Sequence, residues 1–568
     1  MTSRVGAREW AGTYDRSWFG ADVLGGLTVA AVLIPSALAY SGIVGVDPIV
    51  GLYAVPPALV AYALFGGSRL LVVGPDAAIS VLAASTVALV IADGAPYVDA
   101  VIALALVAGG LYLIMHLLRM GWIADLVPRP VVRGFIQGLV WVTILGQIPK
   151  LFGLDLVDDD RGFFRHVVQV LGAIDETDAT TALLGAVALA ALVALRRFAP
   201  RAPGPLMVLA ASMALVRVFS LGDEGVAVVG EPTGPLLDLS LPTGLSGRQV
   251  VDLVPGALAI VVLGFTQSMG AATTAAAKTG ERLEPNRELL ALGTANVGAG
   301  LAGGFVVTGT LSKTSVAISA GGRTQVGNLV AAVVGVVSLL VLRPVFDELA
   351  VTVLAAIVVY AMGGMADLAY FRTLWTVSRR EFAIAALAFL GVLVTGVLPG
   401  VVVAVVASLL LVVHHVGRPP TSELGRSASG EWHDVHRYDD LERRPGLAVV
   451  RQAGPLLFLN ARRFCDGLVD LADGGAKVIV VDASATSGVD STGLHWFVET
   501  SRDLADRGVE VWIVAPIDRP LAQANRIAAS LGAELPPVVA GLDEAVERFD
   551  NRLRPDDVID PQPPGDRT

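Results

Sequence analysis

The chain contains a single cysteine, Cys465, among its 568 residues. This excludes an intramolecular disulfide framework and a metal site built from cysteines. Charged residues are also scarce, at 16%, compared with about 25% in soluble globular proteins. The C-terminal region has no Walker-type phosphate loop, metal-ligand cluster or catalytic triad. We therefore expect no enzymatic activity, no cofactor, no metal and no nucleic-acid partner.

Apolar residues make up 54% of the chain, and the mean hydropathy is +0.66. This composition indicates a polytopic membrane protein with a soluble part. A spanning helix needs roughly 20 apolar residues. On this measure fourteen spans are predicted, near 22–41, 49–66, 75–92, 98–118, 130–150, 178–196, 203–220, 249–270, 285–303, 309–320, 325–343, 350–365, 381–396 and 398–416.

Changes in composition divide the chain into regions. The predicted regions are a cytosolic N-terminal segment (1–20), a transmembrane domain (21–418), a linker (419–444), a soluble α/β domain (445–552) and a disordered tail (553–568). In the soluble domain, strands are predicted at Val449–Gln452, Pro455–Asn460, Lys477–Asp482 and Glu510–Ala515, with helices between and after them.

The charges between the spans predict the orientation. With a cytoplasmic N-terminus, the inner loops would hold Arg119, Arg129, Arg133, Arg196, Arg197, Arg201, Lys278, Arg282, Arg287, Arg372, Arg379 and Arg380. The outer loops would hold Asp155, Asp158, Asp159, Asp160, Asp223, Glu224, Glu231 and Asp238. Positive charge then lies inside throughout, as the loop rule requires. We predict a multi-pass protein of a bacterial-type plasma (inner) membrane, with a cytoplasmic N-terminus and a cytoplasmic soluble domain.

Spans three and ten are short and are rich in glycine and polar residues. Fourteen spans divide into two inverted halves of seven, and paired broken segments of this kind mark a binding site near the midplane. Each short span follows an extended run, at 71–73 and 305–307, and the two runs could pair with each other inside the protein. Both helix N-termini would then face one point, where Lys313 adds a positive charge. The sequence therefore predicts an anion site.

Several motifs occur in order along most of the chain. They include Leu33-Ile34-Pro35-Ser36-Ala37-Leu38-Ala39-Tyr40, Gly51-Leu52-Tyr53-Ala54, Val73-Gly74-Pro75, Pro285-Asn286-Arg287-Glu288-Leu289, Thr308-Gly309-Thr310-Leu311-Ser312-Lys313-Thr314 and Val489-Asp490-Ser491-Thr492-Gly493. Together they resemble the sulfate permease family of anion transporters, which carries a cytosolic STAS domain. The resemblance implies a seven-plus-seven inverted repeat like that of uracil transporters. It also implies a core domain that moves against a gate domain, usually in a homodimer.

The resemblance also implies which side chains form the anion site. Together with the donors expected at span ten, the predicted binding residues are Ser36, Tyr40, Asp76, Ala77, Gln267, Thr310, Leu311, Ser312 and Lys313. Three positions depart from the common family pattern. Ser36 replaces a glutamine, Gln267 replaces a carboxylate associated with ion coupling, and Lys313 replaces an arginine. The last change exchanges a bidentate fork for a point charge.

The substitution at Gln267 raises the question of what couples transport to a gradient. A carboxylate beside an anion site repels the substrate unless it is protonated, so we expect Asp76 to take up the coupled proton. A pair between Asp76 and Lys313 would keep the empty site neutral. The other interpretation is that Asp76 only caps its half-helix, because Asp is a favoured N-cap residue.

These features favour proton-coupled sulfate uptake, and the resemblance implies an elevator-like movement. Bicarbonate, with sodium or proton coupling, and dicarboxylates remain alternatives, although Gln267 and Ala271 lack the ligands expected for sodium. A nucleobase carrier would need paired acids, and a regulatory scaffold would act through an unidentified STAS partner. In the STAS domain, Ser491 lies at the position phosphorylated in related regulators, whereas Asp490 is expected to cap the following helix. Membrane lipid is the remaining expected partner.

Overall fold

The computed structural model describes residues 10, 12–91, 94–125, 128–154, 156, 162–199, 202–230, 241–342, 348–514, 518–530 and 532–552. The chain forms two compact units, Met1–Ser408 and Leu409–Thr568. The first unit is helical and the second is α/β. The predicted disordered tail at 553–568 lies outside the described residues.

Each predicted span falls on a helix of the structure. These helices are α1 (Phe19–Val44), α2 (Pro48–Phe65), α3 (Ala77–Ile91), α4 (Tyr97–Leu117), α5 (Arg129–Phe152), α7 (Ala179–Phe198), α8 (Gly204–Phe219), α10 (Val254–Thr279), α11 (Pro285–Leu301), α12 (Leu311–Ser319), α13 (Val326–Leu342), α14 (Val351–Met365), α16 (Arg379–Thr395) and α17 (Val397–Val416). Three further helices are α6 (Phe163–Gly172), α9 (Gly247–Asp252) and α15 (Leu368–Val377). Among the described residues, 7 helical stretches are long and apolar enough to cross a membrane. The count of fourteen crossings stays a prediction.

Glycines let the helices of the first unit pack closely. A Cβ atom at Gly51 would lie 2.2 Å from the carbonyl oxygen of Ala37, where α2 crosses α1. A Cβ atom at Gly26 would lie 2.4 Å from the carbonyl oxygen of Gly327, where α1 meets α13. Small residues at such crossings allow the dense backbone packing that joins membrane helices. As a result, α1 packs closely against both α2 and α13.

Two short strands lie inside this helical unit. β1 (Val73–Gly74) and β2 (Thr308–Gly309) are antiparallel, with Val73 opposite Gly309 and Gly74 opposite Thr308. The Thr310 N–H also donates to the carbonyl oxygen of Val72 at 3.1 Å. Each strand thus satisfies backbone groups of the other where water would be scarce. The predicted meeting of two extended runs is confirmed, with the pairing at 73–74, at the end of the first run, and at 308–309, directly after the second.

The second unit is built around a six-stranded sheet. Its strands are β3 (Thr421–Arg426), β4 (Trp432–Asp434), β5 (Leu447–Gln452), β6 (Val478–Asp482), β7 (Glu510–Val514) and β8 (Val538–Val539). Their order is β4-β3-β5-β6-β7-β8, and β5 to β8 are parallel. The helices are α18 (Ala461–Asp473), α19 (Ser491–Asp506), α20 (Asp518–Ser530) and α21 (Leu542–Arg552).

Two predictions for this unit were wrong. The expected linker at 419–444 contains β3 and β4, because Leu424 is buried and β3 pairs along β5. The expected strand at Pro455–Asn460 makes only one bridge, from Leu456 to Val489, and then forms a turn. Within this turn, the Leu457 N–H donates to the side-chain oxygen of Asn460 at 3.0 Å. Asparagine side chains compete with strand pairing in this way.

Candidate functional site

The short helices α3 and α12 begin directly after the paired strands. α3 starts at Ala77, three residues after Gly74, and α12 starts at Leu311, two residues after Gly309. Because the strands are paired, the two helix N-termini are brought to the same place. Helix N-termini attract anions through the helix dipole and their N–H groups. This convergence is the geometry that the two broken spans predicted.

Lys313 connects the two short helices. Its side chain is 2% exposed, and Nζ donates a hydrogen bond to the carbonyl oxygen of Pro75, just before α3. The ammonium group also lies 5.5 Å from the ring centroid of Tyr40, which allows a cation–π interaction. Lys313 therefore joins α12 to the start of α3 and to α1.

The expected direct pair between Lys313 and Asp76 is not formed. Both residues are described, and no oxygen of Asp76 lies within 4.0 Å of Lys313 Nζ. The reason is local, because Lys313 reaches the Pro75 carbonyl instead. The Asp76 carboxylate is partly buried and accepts a hydrogen bond from the Ala78 N–H at 3.0 Å. Asp76 therefore caps α3, and whether it also carries the coupled proton stays a prediction.

Ser36 and Tyr40 lie one turn apart in α1 and are 8% and 7% exposed. Ser36 Oγ donates to the carbonyl oxygen of Val32 at 2.6 Å. Pro35 lies beside them inside the helix, where it removes one backbone donor. The structure therefore places Ser36 and Tyr40 on the α1 side of the same site as Lys313.

Two buried polar atoms on the elements around the short helices have no hydrogen-bond partner among the described residues. They are Nε2 of Gln267, in α10, and Oγ1 of Thr310, at the start of α12. Both atoms are buried, and a buried polar group without a partner costs free energy. Each of the two atoms can donate a hydrogen bond to an acceptor oxygen.

The remaining predicted residues differ in exposure. Ala77 is 0% exposed, so it can contribute only its backbone N–H or its packing. Leu311 is 47% exposed, and Ser312 is also exposed. The first turn of α12 therefore faces an accessible space, while the first turn of α3 is enclosed.

A hydrogen-bond network that the sequence motifs did not predict lies behind the site. Ser268 Oγ accepts from the Gly309 N–H at 2.9 Å and lies 2.9 Å from Thr308 Oγ1. Thr308 Oγ1 also donates to the carbonyl oxygen of Gly264 at 2.9 Å. This network fixes β2 against α10.

In the second unit, Ser491 is the exposed first residue of α19. Asp490 precedes it and accepts a hydrogen bond from the Gly493 N–H at 2.6 Å, which confirms the predicted cap. Within the part of the chain that the structure describes, no group of three or more His, Cys, Asp or Glu residues could hold a metal ion.

Broken membrane helices whose N-termini converge on a polar site are typical of secondary transporters. The sulfate permease family model matches residues 19–388, and the STAS domain model matches residues 438–530. The chain therefore belongs to the sulfate permease family and carries a STAS domain. This confirms the resemblance found in the sequence.

Curated relatives cover nearly the whole chain. A probable sulfate transporter of Mycobacterium tuberculosis is 35% identical over 529 residues, which are 91% of this chain and 93% of the relative. Low affinity sulfate transporter 3 of Stylosanthes hamata is 30% identical over 543 residues, which are 89% of this chain and 84% of the relative. These relatives are transporters by name, in agreement with the prediction that the chain is not an enzyme.

Solved structures show the same fold at low identity. The structure of SLC26A9 has a TM-score of 0.89 at 19% identity and covers 96% of this chain and 92% of that chain. The transmembrane domain of the cyanobacterial bicarbonate transporter BicA has a TM-score of 0.60 at 22% identity and covers 68% of this chain and 97% of that chain. The predicted fold class, a helical transmembrane core with a C-terminal STAS domain, is confirmed.

Proposed function

We propose that this protein is a secondary active anion transporter that takes up sulfate together with protons. The observation that carries the proposal is a pair of buried donors without partners on the elements around the paired helix N-termini, Gln267 Nε2 in α10 and Thr310 Oγ1 directly before α12. Sulfate carries two charges and four acceptor oxygens, so it can accept from both side chains and both helices at once. The sulfate transporters among the relatives support this choice of anion.

In this proposal, Lys313 supplies positive charge without meeting the anion directly. Its ammonium group is buried against Pro75 and Tyr40, so it acts through the field at the site. Asp76 is the proton carrier, because its carboxylate is partly accessible and lies beside the same helix N-terminus. A protonated Asp76 would lower the repulsion that sulfate meets on entering.

The movement that carries the anion is an elevator-like displacement of a core against a gate. Hydrogen bonds between distant segments support a core that moves as one body. Asp22 in α1 accepts from Thr324 Oγ1 at 2.6 Å, and Thr314 Oγ1 in α12 accepts from the Val72 N–H at 3.1 Å. These bonds join α1 to the segment after α12, and α12 to the segment before β1. We further propose a homodimer in a bacterial-type inner membrane, with the N-terminus and STAS domain cytoplasmic.

Uptake of labelled sulfate into proteoliposomes tests this function. The full chain is measured at two pH values, with and without sodium, against competing bicarbonate and succinate. We expect uptake that increases with an inward proton gradient, is independent of sodium and is competed by sulfate more strongly than by the other anions. Asp76→Asn should remove the pH dependence. Sulfate uptake by Asp76→Asn with its full pH dependence would contradict the proposed coupling.

The same vesicles distinguish sulfate from the alternative substrates and test where the anion binds. If bicarbonate or succinate is transported more strongly than sulfate, the proposed anion site still stands, but its substrate is that anion and not sulfate. The double variant Gln267→Ala/Thr310→Val removes the two unpaired donors, and we expect it to lose uptake of any anion that the site binds. Transport that this variant leaves unchanged would place the site elsewhere. Ser85→Ala, whose hydroxyl bonds only within α3, is the matched control.

A further inference from the structure

The segment between α2 and β1, residues 66–72, forms neither helix nor strand, yet most of it is buried. Its backbone groups therefore need partners outside regular secondary structure. The carbonyl oxygen of Ser68 accepts from Gln325 Nε2 at 2.8 Å. The carbonyl oxygen of Leu71 accepts from Asn328 Nδ2 at 2.8 Å and from Gln325 Nε2 at 3.2 Å. Two side-chain amides from the second half of the chain thus hold this segment.

Gln325 and Asn328 also fix each other. Asn328 Nδ2 donates to Gln325 Oε1 at 2.6 Å, so both hydrogens of the Asn328 amide are used. The two residues are 1% and 5% exposed. Gln325 lies directly before α13, and Asn328 lies in its first turn. The pair therefore reaches the Leu71 carbonyl from a helix end with little freedom to move.

The same stretch of chain also holds α1. The N–H groups of Arg323 and Thr324 donate to Asp22 Oδ1 at 2.6 Å and 2.9 Å. Asp22 lies in the first turn of α1 and is 0% exposed. We call residues 323–328 the polar bracket, because they join the start of α1 to the segment before β1. The two strands themselves pair at only two positions, so the bracket is a major part of what holds this region together.

We propose that Gln325 and Asn328 are positioning residues for the transported anion. Their bonds to Leu71 lie two residues before β1, and α3 begins three residues after β1 ends. They therefore hold the N-terminus of α3 in place against α12 and α1 without touching the anion. When the amides are removed, the buried carbonyl groups lose their partners and the segment shifts to find others, because an unpaired buried carbonyl costs free energy. The anion then meets the two helix N-termini in a poorer geometry. This role rests on the proposed anion site and applies to whichever anion that site binds.

The concentration dependence of sulfate uptake into proteoliposomes tests this role. Asn328→Leu and Gln325→Leu each remove one amide, and we expect each to raise the KM for sulfate about threefold to tenfold. The double variant leaves both carbonyl groups unpaired, so its KM should rise about tenfold or more. The maximal rate per folded transporter should stay within about twofold of the wild type, because the loss is one of binding.

Hydrogen–deuterium exchange of the full chain in detergent distinguishes a local shift from a general loss of stability. In the variants, peptides that cover residues 68–80 should exchange about tenfold faster than in the wild type. Peptides from α7 and from the STAS domain should exchange as in the wild type. A purely structural role would raise exchange throughout the first unit and lower the maximal rate.

Thr86→Val is the matched control. Thr86 lies on α3 and is 1% exposed, and its hydroxyl donates to the Leu82 carbonyl of the same helix. Its KM and its exchange should match the wild type. Size exclusion and circular dichroism establish that each variant is folded, and a variant that does not fold is replaced by Asn328→Ser or Gln325→Ser, which also remove the amide.

The outcomes separate the positioning role from the anion site itself. If Gln267→Ala/Thr310→Val loses uptake while the double amide variant keeps the wild-type KM, the site stands and the positioning role is wrong. A lower maximal rate at unchanged KM, with faster exchange throughout the first unit, would also overturn the role. If neither pair of substitutions alters uptake, the proposed anion site is wrong and the positioning role is lost with it. Where the wild type prefers another anion, the same comparison is made with that anion.

Discussion

Lys313 shows how one side chain can serve two parts of a broken-helix site. Its hydrogen bond to Pro75 joins α12 to the start of α3, and its charge lies above the ring of Tyr40. A buried ammonium group in a membrane protein is costly unless such contacts compensate for the lost water. The residue is therefore both a structural link and the local source of positive charge.

Replacing Lys313 should affect transport and stability together. Lys313→Met removes the charge and leaves the Pro75 carbonyl unpaired, so we expect a loss of sulfate uptake of about tenfold or more, equivalent to about 1.4 kcal/mol. Lys313→Arg keeps the charge and should retain part of the uptake. Proteoliposome uptake and the thermal unfolding midpoint are the measurements. Lys278→Met, at an exposed cation, is the control, and wild-type uptake by Lys313→Met would contradict the assigned role.

Cys465 offers a second test at the scale of a residue, in the STAS domain. Burial raises the pKa of its thiol from 9.0 to about 11. The thiolate is the reactive form, so at pH 8 its fraction should be about a hundredfold lower than in the unfolded chain. We expect slow labelling by iodoacetamide that accelerates as the pH rises towards 11. The same protein in denaturant is the control, and equally fast labelling of the folded protein at pH 8 would refute the prediction.

At the scale of the element, the extended segments are held by side chains rather than by a large sheet. Asn296 in α11 donates to the carbonyl oxygen of Val307 and accepts from its N–H, both at 2.9 Å. The Asn296 amide thus makes the two backbone hydrogen bonds that a neighbouring strand would otherwise make with Val307, the residue just before β2. Ser268 and Thr308 fix the other side of β2 against α10. The position of α12 depends on these contacts.

Asn296→Leu should test this support. The substitution leaves both backbone groups of Val307 unpaired in a buried place, and we expect a loss of about 3 kcal/mol in stability. A lower thermal unfolding midpoint of the detergent-solubilised protein would show it, accompanied by weaker uptake. Thr294→Val is the control on the same helix, because the Thr294 hydroxyl bonds only to carbonyls of α11. Equal stability of the two variants would show that Val307 is supported in another way.

At the scale of the whole molecule, the two units have separate cores. The second unit packs apolar residues on both faces of its sheet, including Phe464 and Leu494 on one face and Trp512 and Phe549 on the other. Trp512 is 0% exposed and lies within 4.9 Å of Arg548 and 5.1 Å of Arg552. Two packed layers around a sheet are sufficient for an independently folding domain.

We therefore expect residues 420–552 to fold without the membrane unit. The isolated fragment should unfold in one cooperative transition with urea, followed by circular dichroism. A fragment that starts at residue 445 lacks β3 and β4, so it should be less stable or aggregate, because β5 would become an exposed edge. Equal stability of the two fragments would show that β3 and β4 add nothing to the domain.

The sequence by itself determined the order and position of most helices and the two broken spans. Long apolar runs end at charged or glycine-rich segments, and such patterns depend on neighbouring residues alone. The same local information predicted the pair of extended runs before α3 and α12. It also predicted the Asp490 cap, because a capping bond reaches only two or three residues along the chain.

Only the tertiary structure decided which distant groups meet. Lys313 bonds to Pro75 rather than to Asp76, and Asn296 bonds to Val307, because helix packing brings these atoms within reach. β3 joins the sheet although its sequence is typical of a linker, since pairing with β5 supplies the stabilisation that its own residues lack. The unpaired donors of Gln267 and Thr310 follow from the same cause, because a side chain is left without a partner only by the arrangement of everything around it.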